Sequence, residues 1–368
     1  MPCVRVLMLT PDFPPAPGGI QVLMHRLVRH AEQLDMRVVT RGSPGAKDFD
    51  RHEGMDIRRA GRARGGLRSI AALNARALAE APRFRPGAVL SGHVVTSPAA
   101  RMIGKLAGIP VIQYLYADEL RTRARIAASA MRADALVAIS AHTRQLAVDA
   151  GAAPARVRLI PAGVDLPDLG RADPAERPTV VTVARLEQSY KGHDVLVRAL
   201  ALIRARVPDV EWLVVGDGSL RQPLQRMAAE SGVGDAVRFL GAVSDAERDA
   251  ALERAHVFAM PSRLPPGGVG GEGFGIVYLE AAARGLPVVA GNVGGALDAV
   301  VHGETGLLVD PEDPGAVADA ISALLLEPKR ARALGAAGMR RARQFAWPLI
   351  ARRLEDLVLD LAGRATAR

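Results

Sequence analysis

A single cysteine, Cys3, stands among 368 residues, which excludes an internal disulfide framework and any cysteine-based zinc site. Aromatic residues amount to 4%; with abundant alanine, leucine and valine, that scarcity fits helices packed on buried parallel sheets better than an all-β design. No segment approaches 18 consecutive apolar residues, so no transmembrane helix is expected. The apolar run Val4 to Leu9 is broken at once by Thr10-Pro11-Asp12-Phe13-Pro14-Pro15, too soon for the core of a signal peptide. It reads as a first strand, and the expected location is the cytoplasm, extending to the inner membrane face. The loop after it fits neither GxGxxG nor GxxxxGKS/T, which argues against a dinucleotide dehydrogenase and a P-loop NTPase. No fixed-period repeat or low-complexity tract is present.

Basic charge is plentiful. Lysine and arginine total 48 against 39 acidic residues, a formal charge of +9. The arginines gather at Arg58, Arg59, Arg62 and Arg64, at Arg121, Arg123 and Arg125, and again near the C-terminus. No aromatic residues interleave with them and no nucleic-acid motif occurs, so nucleic acid is the weaker partner. Peripheral contact with an anionic membrane, a phosphorylated acceptor, and an ordinary solvated arginine-rich surface all fit.

The length favours two domains of about 150 to 200 residues each. Apolar strands alternate with amphipathic helices throughout, the pattern of parallel α/β domains. The first series opens with Val4 to Leu9 and a helix from about Ile20, on which Ile20, Leu23, Leu27, Ala31 and Leu34 share a face. It continues through strand-like Ala88 to Ser91, Pro110 to Tyr116, Ala135 to Ile139 and Val157 to Ile160. The second carries Val180 to Ala184, Glu211 to Val215, Val237 to Leu240, Val257 to Met260, Pro287 to Ala290 and Gly306 to Val309. The expected division is a first Rossmann-like domain over 1–165, a polar linker over 166–178, a second domain over 179–345 and a helix over 346–368 bearing Leu349, Leu354, Leu357 and Leu361. Open parallel sheets bind ligands beyond the C-terminal ends of their strands. Glycine- and charge-rich loops there, and a cleft between the domains, are the expected sites.

Four loops qualify. Gly18 and Gly19 precede the first helix, where bare amides can receive a phosphate or simply make a turn. Arg185 and Lys191, six positions apart around a strand-to-helix turn, can grip one diphosphate or stand as two surface cations. The loop around Val243 can meet a nucleobase, or serve only as a connection ending in an N-cap at Ser244. In Glu272-Gly273-Phe274-Gly275-Ile276-Val277-Tyr278-Leu279-Glu280 two carboxylates lie eight positions apart across a glycine loop that becomes a helix over Ile276 to Ala283. That arrangement suits a hydroxyl-rich or anionic ligand, and a capping acid followed by a solvated helix acid would also account for it.

In this order the loops resemble the family 4 glycosyltransferases, retaining enzymes of the GT-B fold with two facing Rossmann-like domains. The resemblance is carried by Pro14-Pro15 through Gly18-Gly19, Ala133-Asp134 through Ser140, Ile160-Pro161-Ala162-Gly163-Val164-Asp165, Arg185 through Lys191-Gly192, Pro261-Ser262, Glu272 through Glu280, and Gly306-Leu307-Leu308-Val309. It implies that the final helix crosses back to the first domain. It implies a hexose-type sugar moved from a nucleotide diphosphate sugar to a small-molecule or lipid-linked hydroxyl, with no cofactor and no metal. Gly18 and Gly19 would approach the donor phosphate, and Arg185 and Lys191 would bind the diphosphate. Glu272 with Gly273, Phe274, Gly275 and Ile276 would hold the sugar, Glu280 the ribose, and the loop at Val243 the base. Arg185, Lys191 and Glu272 are thus the expected catalytic set. Tyr116 stands where the family commonly has a histidine, so His93, Tyr116 and Asp118 are the candidates for acceptor or sugar contacts. A nucleotide-sugar epimerase of the related fold and a non-catalytic nucleotide-sugar sensor are the competing readings.

Overall fold

The computed structural model describes residues 3–61, 66–122, 124–167, 175–268 and 271–366. Arg62, Arg64, Arg123 and residues 168–174 of the expected linker lie outside them. The chain divides into two compact units, Met1–Gly163 with Trp347–Arg368, and Val164–Ala346.

The first unit is built on β1 (Val4–Leu9), β2 (Leu34–Arg41), β3 (Asp56–Ala60), β4 (Ala88–Ser91), β5 (Val111–Leu115), β6 (Ala135–Ala138) and β7 (Val157–Leu159). All pairings are parallel, in the order β3-β2-β1-β4-β5-β6-β7. Central strands are buried on both faces over most of their length, which is why β1, β4 and β5 read as largely apolar runs, interrupted by exposed Arg5 near the start of β1 and by buried Gln113 in β5. The charged β2 and β3 escape that pattern. Arg37 lies in register with Asp56 and holds its carboxylate at 2.7 Å, reaches Glu80 at 3.1 Å, and stacks over Phe84 at 4.5 Å, so these strands neutralise their charges against each other and the helix Leu67–Phe84.

The helix expected from Ile20 spans Gly19–His30. It ends before its apolar face does, because Ala31 is extended (φ −82°, ψ 96°) and Leu34 opens β2. Elsewhere strand limits move by about a residue: Pro110, Tyr116, Ile139, Ile160, Ala184 and Pro287 fall just outside. Pro287 has no N–H for the ladder and contributes only its carbonyl, to Phe258 N at 3.1 Å.

The last helix, Trp347–Thr366, belongs to the first unit and packs on Gly19–His30. Its buried face is Trp347, Ile350, Ala351, Leu354 and Val358, while Leu349 is exposed. Trp347 lies so close over Gly163 that a Cβ there would come within 2.4 Å of the indole.

The second unit repeats the plan with β8 (Thr179–Val183), β9 (Glu211–Val215), β10 (Val237–Gly241), β11 (Val257–Met260), β12 (Val288–Gly291) and β13 (Gly306–Val309), parallel in the order β10-β9-β8-β11-β12-β13. Buried Trp212 on β9 donates to Thr182 Oγ1 at 3.0 Å. In each sheet the chain reverses its direction of growth beside the first strand, between β1 and β4 and between β8 and β11. Ligands of such sheets bind at these reversal points. Among the described residues no helix is long and apolar enough to cross a membrane.

Candidate active site

The loops leaving β8 and β11 flank the reversal point of the second sheet. After β8 come Arg185 and a single 3-10 turn, Ser189–Lys191. The turn ends at Gly192, whose φ of 79° and approach to Pro261 O, 2.2 Å from any added Cβ, require glycine. Arg263 N donates to Tyr190 O at 2.8 Å, and the Arg263 guanidinium grips Asp194 through two bonds of 3.0 and 3.1 Å. The lysine-bearing turn is therefore clamped to the segment that follows β11.

Glu272 to Gly275 leads from that segment into the helix Ile276–Ala283. Gly275 is left-handed (φ 83°) and lies against the Tyr278 ring, which a Cβ would meet at 2.3 Å. The Tyr278 hydroxyl, under the loop, bonds Met260 O at 2.9 Å and Ser262 Oγ at 3.2 Å. Burial and the nearby Glu272 carboxylate push its ionisation far above the ordinary range. From the other side Gly295 N donates to Glu272 O at 2.9 Å, and a Cβ on Gly295 would come within 2.3 Å of Gly273 O. Phe274 is buried with its ring 5.8 Å from that of Phe345. The loop is fixed through its backbone, which leaves the Glu272 carboxylate at its edge.

These two loops bring Lys191 and Glu272 into an ion pair, with both side chains largely shielded from water. The Lys191 ammonium also sits 5.4 Å from the Tyr190 ring centroid, a cation–π contact. Arg185, on the same loop, is exposed and makes no side-chain hydrogen bond or ion pair among the described residues. Glu280 lies one turn along the helix and is half-buried; its side chain makes no hydrogen bond among the described residues. Burial raises its pKa, opposed by the charges of Arg248 and Arg284. Val243 is half-buried beside Ser244, which completes a capping box with Glu247. His193, next to Lys191, is buried over Trp212; burial, and then the lysine charge, lower its pKa to about 4.

The first unit places its candidates at its own reversal point. Gly18 (φ 146°) caps the helix that begins at Gly19, and a Cβ there would meet Gln21 Oε1 at 2.3 Å. The proline loop before it is tied down by Arg41 Nε to Pro11 O at 3.1 Å and Arg59 to Pro14 O at 2.6 Å. Arg59, which also binds Asp50 at 2.7 Å, thus serves the loop internally, and Arg58 pairs with Asp56 at 3.0 Å. His93 follows β4. Its Nδ1 lies 3.2 Å from Val95 N and 3.1 Å from Glu119 Oε2, contacts that need opposite protonation of that nitrogen. Buried Glu119 accepts from Tyr116 N at 3.0 Å and Val94 N at 3.3 Å, joining the ends of β4 and β5. The Tyr116 side chain is buried, and its hydroxyl has no hydrogen-bond partner among the described residues. Asp118 is exposed. Among the described residues no group of three or more His, Cys, Asp or Glu side chains could hold a metal ion.

Sequence reasoning missed Tyr278, Glu119 and the constraint at Gly192. Tyr278 reads as one more apolar helix residue, and only the strand end opposite gives its hydroxyl a purpose. For Gly192 a signal was present, a glycine directly after the candidate lysine.

Comparison with known proteins places these loops in context. Residues 17–167 match the family described as Glycosyltransferase Family 4, and residues 171–341 match Glycosyl transferases group 1. A GDP-mannose-dependent alpha-(1-6)-phosphatidylinositol monomannoside mannosyltransferase of Mycobacterium tuberculosis is 34% identical, covering 96% of this chain and 98% of its own. The protein of the same name from Mycolicibacterium smegmatis is 34% identical, with 99% and 100% covered. Among solved structures, the sucrose-phosphate synthase of Thermosynechococcus elongatus superposes with a TM-score of 0.82 at 24% identity, over 98% of this chain and 99% of that one. At that identity the likeness shows the fold alone.

Proposed function

The chain belongs to the family 4 glycosyltransferases of GT-B type, and we propose that it moves mannose from GDP-mannose to a hydroxyl of a mannosylated phosphatidylinositol lipid. The observation that carries this reading is the Lys191–Glu272 pair at the reversal point of the second sheet, on a loop that also carries Arg185, which is exposed and unpaired among the described residues. Two cations suited to a diphosphate thus share a loop that meets a carboxylate suited to sugar hydroxyls. Donor base, sugar and lipid acceptor are taken from the full-length relatives.

In the proposed reaction the bond from the anomeric carbon to the β-phosphate oxygen breaks, and its electron pair stays on the departing GDP. The acceptor oxygen bonds to the anomeric carbon on the same face, so configuration is retained, and its proton passes to a leaving phosphate oxygen. Arg185 and Lys191 stabilise the charge that grows on that phosphate, the task a metal performs in other transferases. Glu272 accepts hydrogen bonds from the sugar and Glu280 from the ribose. Gly18 and Gly19 offer amides to phosphate, and the main chain at Val243 meets the base. A net charge of +9 favours peripheral binding to anionic lipid.

The test is a panel of UDP-, GDP-, ADP- and dTDP-sugars, with and without a phosphatidylinositol mannoside and with EDTA. GDP-mannose should be consumed in an acceptor-dependent, EDTA-resistant way to give an α-linked product. Lys191→Ala should cut turnover roughly a hundredfold or more with little change in unfolding midpoint. Acceptor-independent donor conversion, a β-linked product or full activity in Lys191→Ala would each overturn the corresponding part.

A further inference from the structure

In the structure the ammonium expected to meet the diphosphate is already engaged by the carboxylate expected to meet the sugar. The two partners differ in freedom. Glu272 belongs to a loop held by Gly295 N–H at its carbonyl and by the Tyr278 ring beneath Gly275. Lys191 carries its charge on a flexible four-carbon stem and has the Tyr190 ring as a second resting place. Of the two, the ammonium is the one that can leave. A diphosphate carries more negative charge than one carboxylate and has Arg185 as a second anchor, so it can take Lys191 away.

We infer that Lys191 and Glu272 form a specificity latch: a phosphate-bearing leaving group must draw Lys191 off Glu272 before that carboxylate can bind the sugar's hydroxyls. The inference rests on Lys191 being a diphosphate ligand. A free sugar cannot release the latch, because neutral hydroxyls compete poorly with an ammonium for a carboxylate in a shielded site. A sugar attached to a diphosphate brings its own key. The same coupling requires Glu272 to oppose nucleoside diphosphate binding, since each pairing costs the other.

The test is calorimetric titration of GDP into the full-length protein and into Glu272→Gln, Lys191→Ala and the double variant. Lys191→Ala should weaken GDP by about tenfold or more. Glu272→Gln, nearly isosteric, should tighten it by about fivefold or more while losing transfer activity. In the Lys191→Ala background the Glu272 substitution should change affinity by less than about twofold, because no ammonium remains to be released. Glu272→Ala serves in the same cycle if the glutamine variant folds poorly. An unchanged Glu272→Gln affinity, with Lys191→Ala still weakened, would overturn the latch and leave the diphosphate assignment standing. A tightening that persists without Lys191 would mean plain repulsion between carboxylate and phosphate, and would also overturn it. Unaltered GDP binding by Lys191→Ala would remove the diphosphate assignment and the latch together.

Discussion

Glu280, proposed above to hold the ribose, shows what such a role costs the protein that carries it. Its carboxylate is half-buried without a hydrogen-bond donor among the described residues, and burial raises its pKa above the ordinary 4.5. An acid with a raised folded-state pKa binds its proton more tightly when folded, so stability is lost as pH rises from the ordinary value through the raised one. Glu280→Gln should therefore stabilise the protein at neutral pH by up to about 1 kcal/mol. The gain should shrink as pH falls through that window, as urea denaturation at pH 7 and pH 4 would reveal, and a gain that grows in acid would contradict the sign. Tyr278 lies on the other side of the balance. Tyr278→Phe leaves Met260 O and Ser262 Oγ without their partner, a loss of about 1 to 2 kcal/mol. If the hydroxyl also steadies the Glu272 loop, the donor KM should rise with it, whereas an unchanged KM would confine Tyr278 to stability. Neither effect is legible along the chain. Glu272 and Glu280 are visible as a spaced pair, but Lys191 meets Glu272 across 81 positions, and no local pattern reports such a contact.

Among elements, the helix Ile276–Ala283 was the most readable and the loop before it the least. Strong helix formers and the glycines on either side mark the helix limits. The loop takes its shape from Gly295, a residue that sequence leaves ambiguous between turn and binding site. Gly295 has ordinary helical angles (φ −70°, ψ −10°), so alanine there suffers no backbone strain, only the collision with Gly273 O at 2.3 Å. Gly295→Ala should displace the loop, costing about 1 to 3 kcal/mol of stability. It should lower kcat/KM for the donor roughly tenfold or more, since catalysis is sensitive to small misplacements. Parallel loss of Lys191 reactivity toward an amine reagent is not expected, because the 189–192 turn is held separately by Arg263. The β2 and β3 strands illustrate the opposite failure. Their charges hide the period-2 signal, and only pairing of Arg37 with Asp56 and Glu80 explains why a strand tolerates them.

For the whole molecule, alternation of strands and helices was enough to foresee two parallel-sheet units, because both-face burial writes itself as apolar runs. Ownership of the last helix came only from the family resemblance, as amphipathicity shows that a face is covered and not by what. Trp347, Ile350, Ala351, Leu354 and Val358 are buried in the first unit. At about 1.5 to 3 kcal/mol for each large side chain, losing them exceeds what a domain of this size can spare. A chain ending at Ala346 should lose the cooperative unfolding of the first unit and keep that of the second, read as one surviving transition in urea; two intact transitions would show the helix to be dispensable. The same packing has an optical consequence. The protein has two tryptophans, Trp347 in the first unit and Trp212 in the second, both with less than 3% exposed. Each half thus carries its own fluorophore, so Trp212→Phe and Trp347→Phe would let the emission of one chain follow the melting of either half alone.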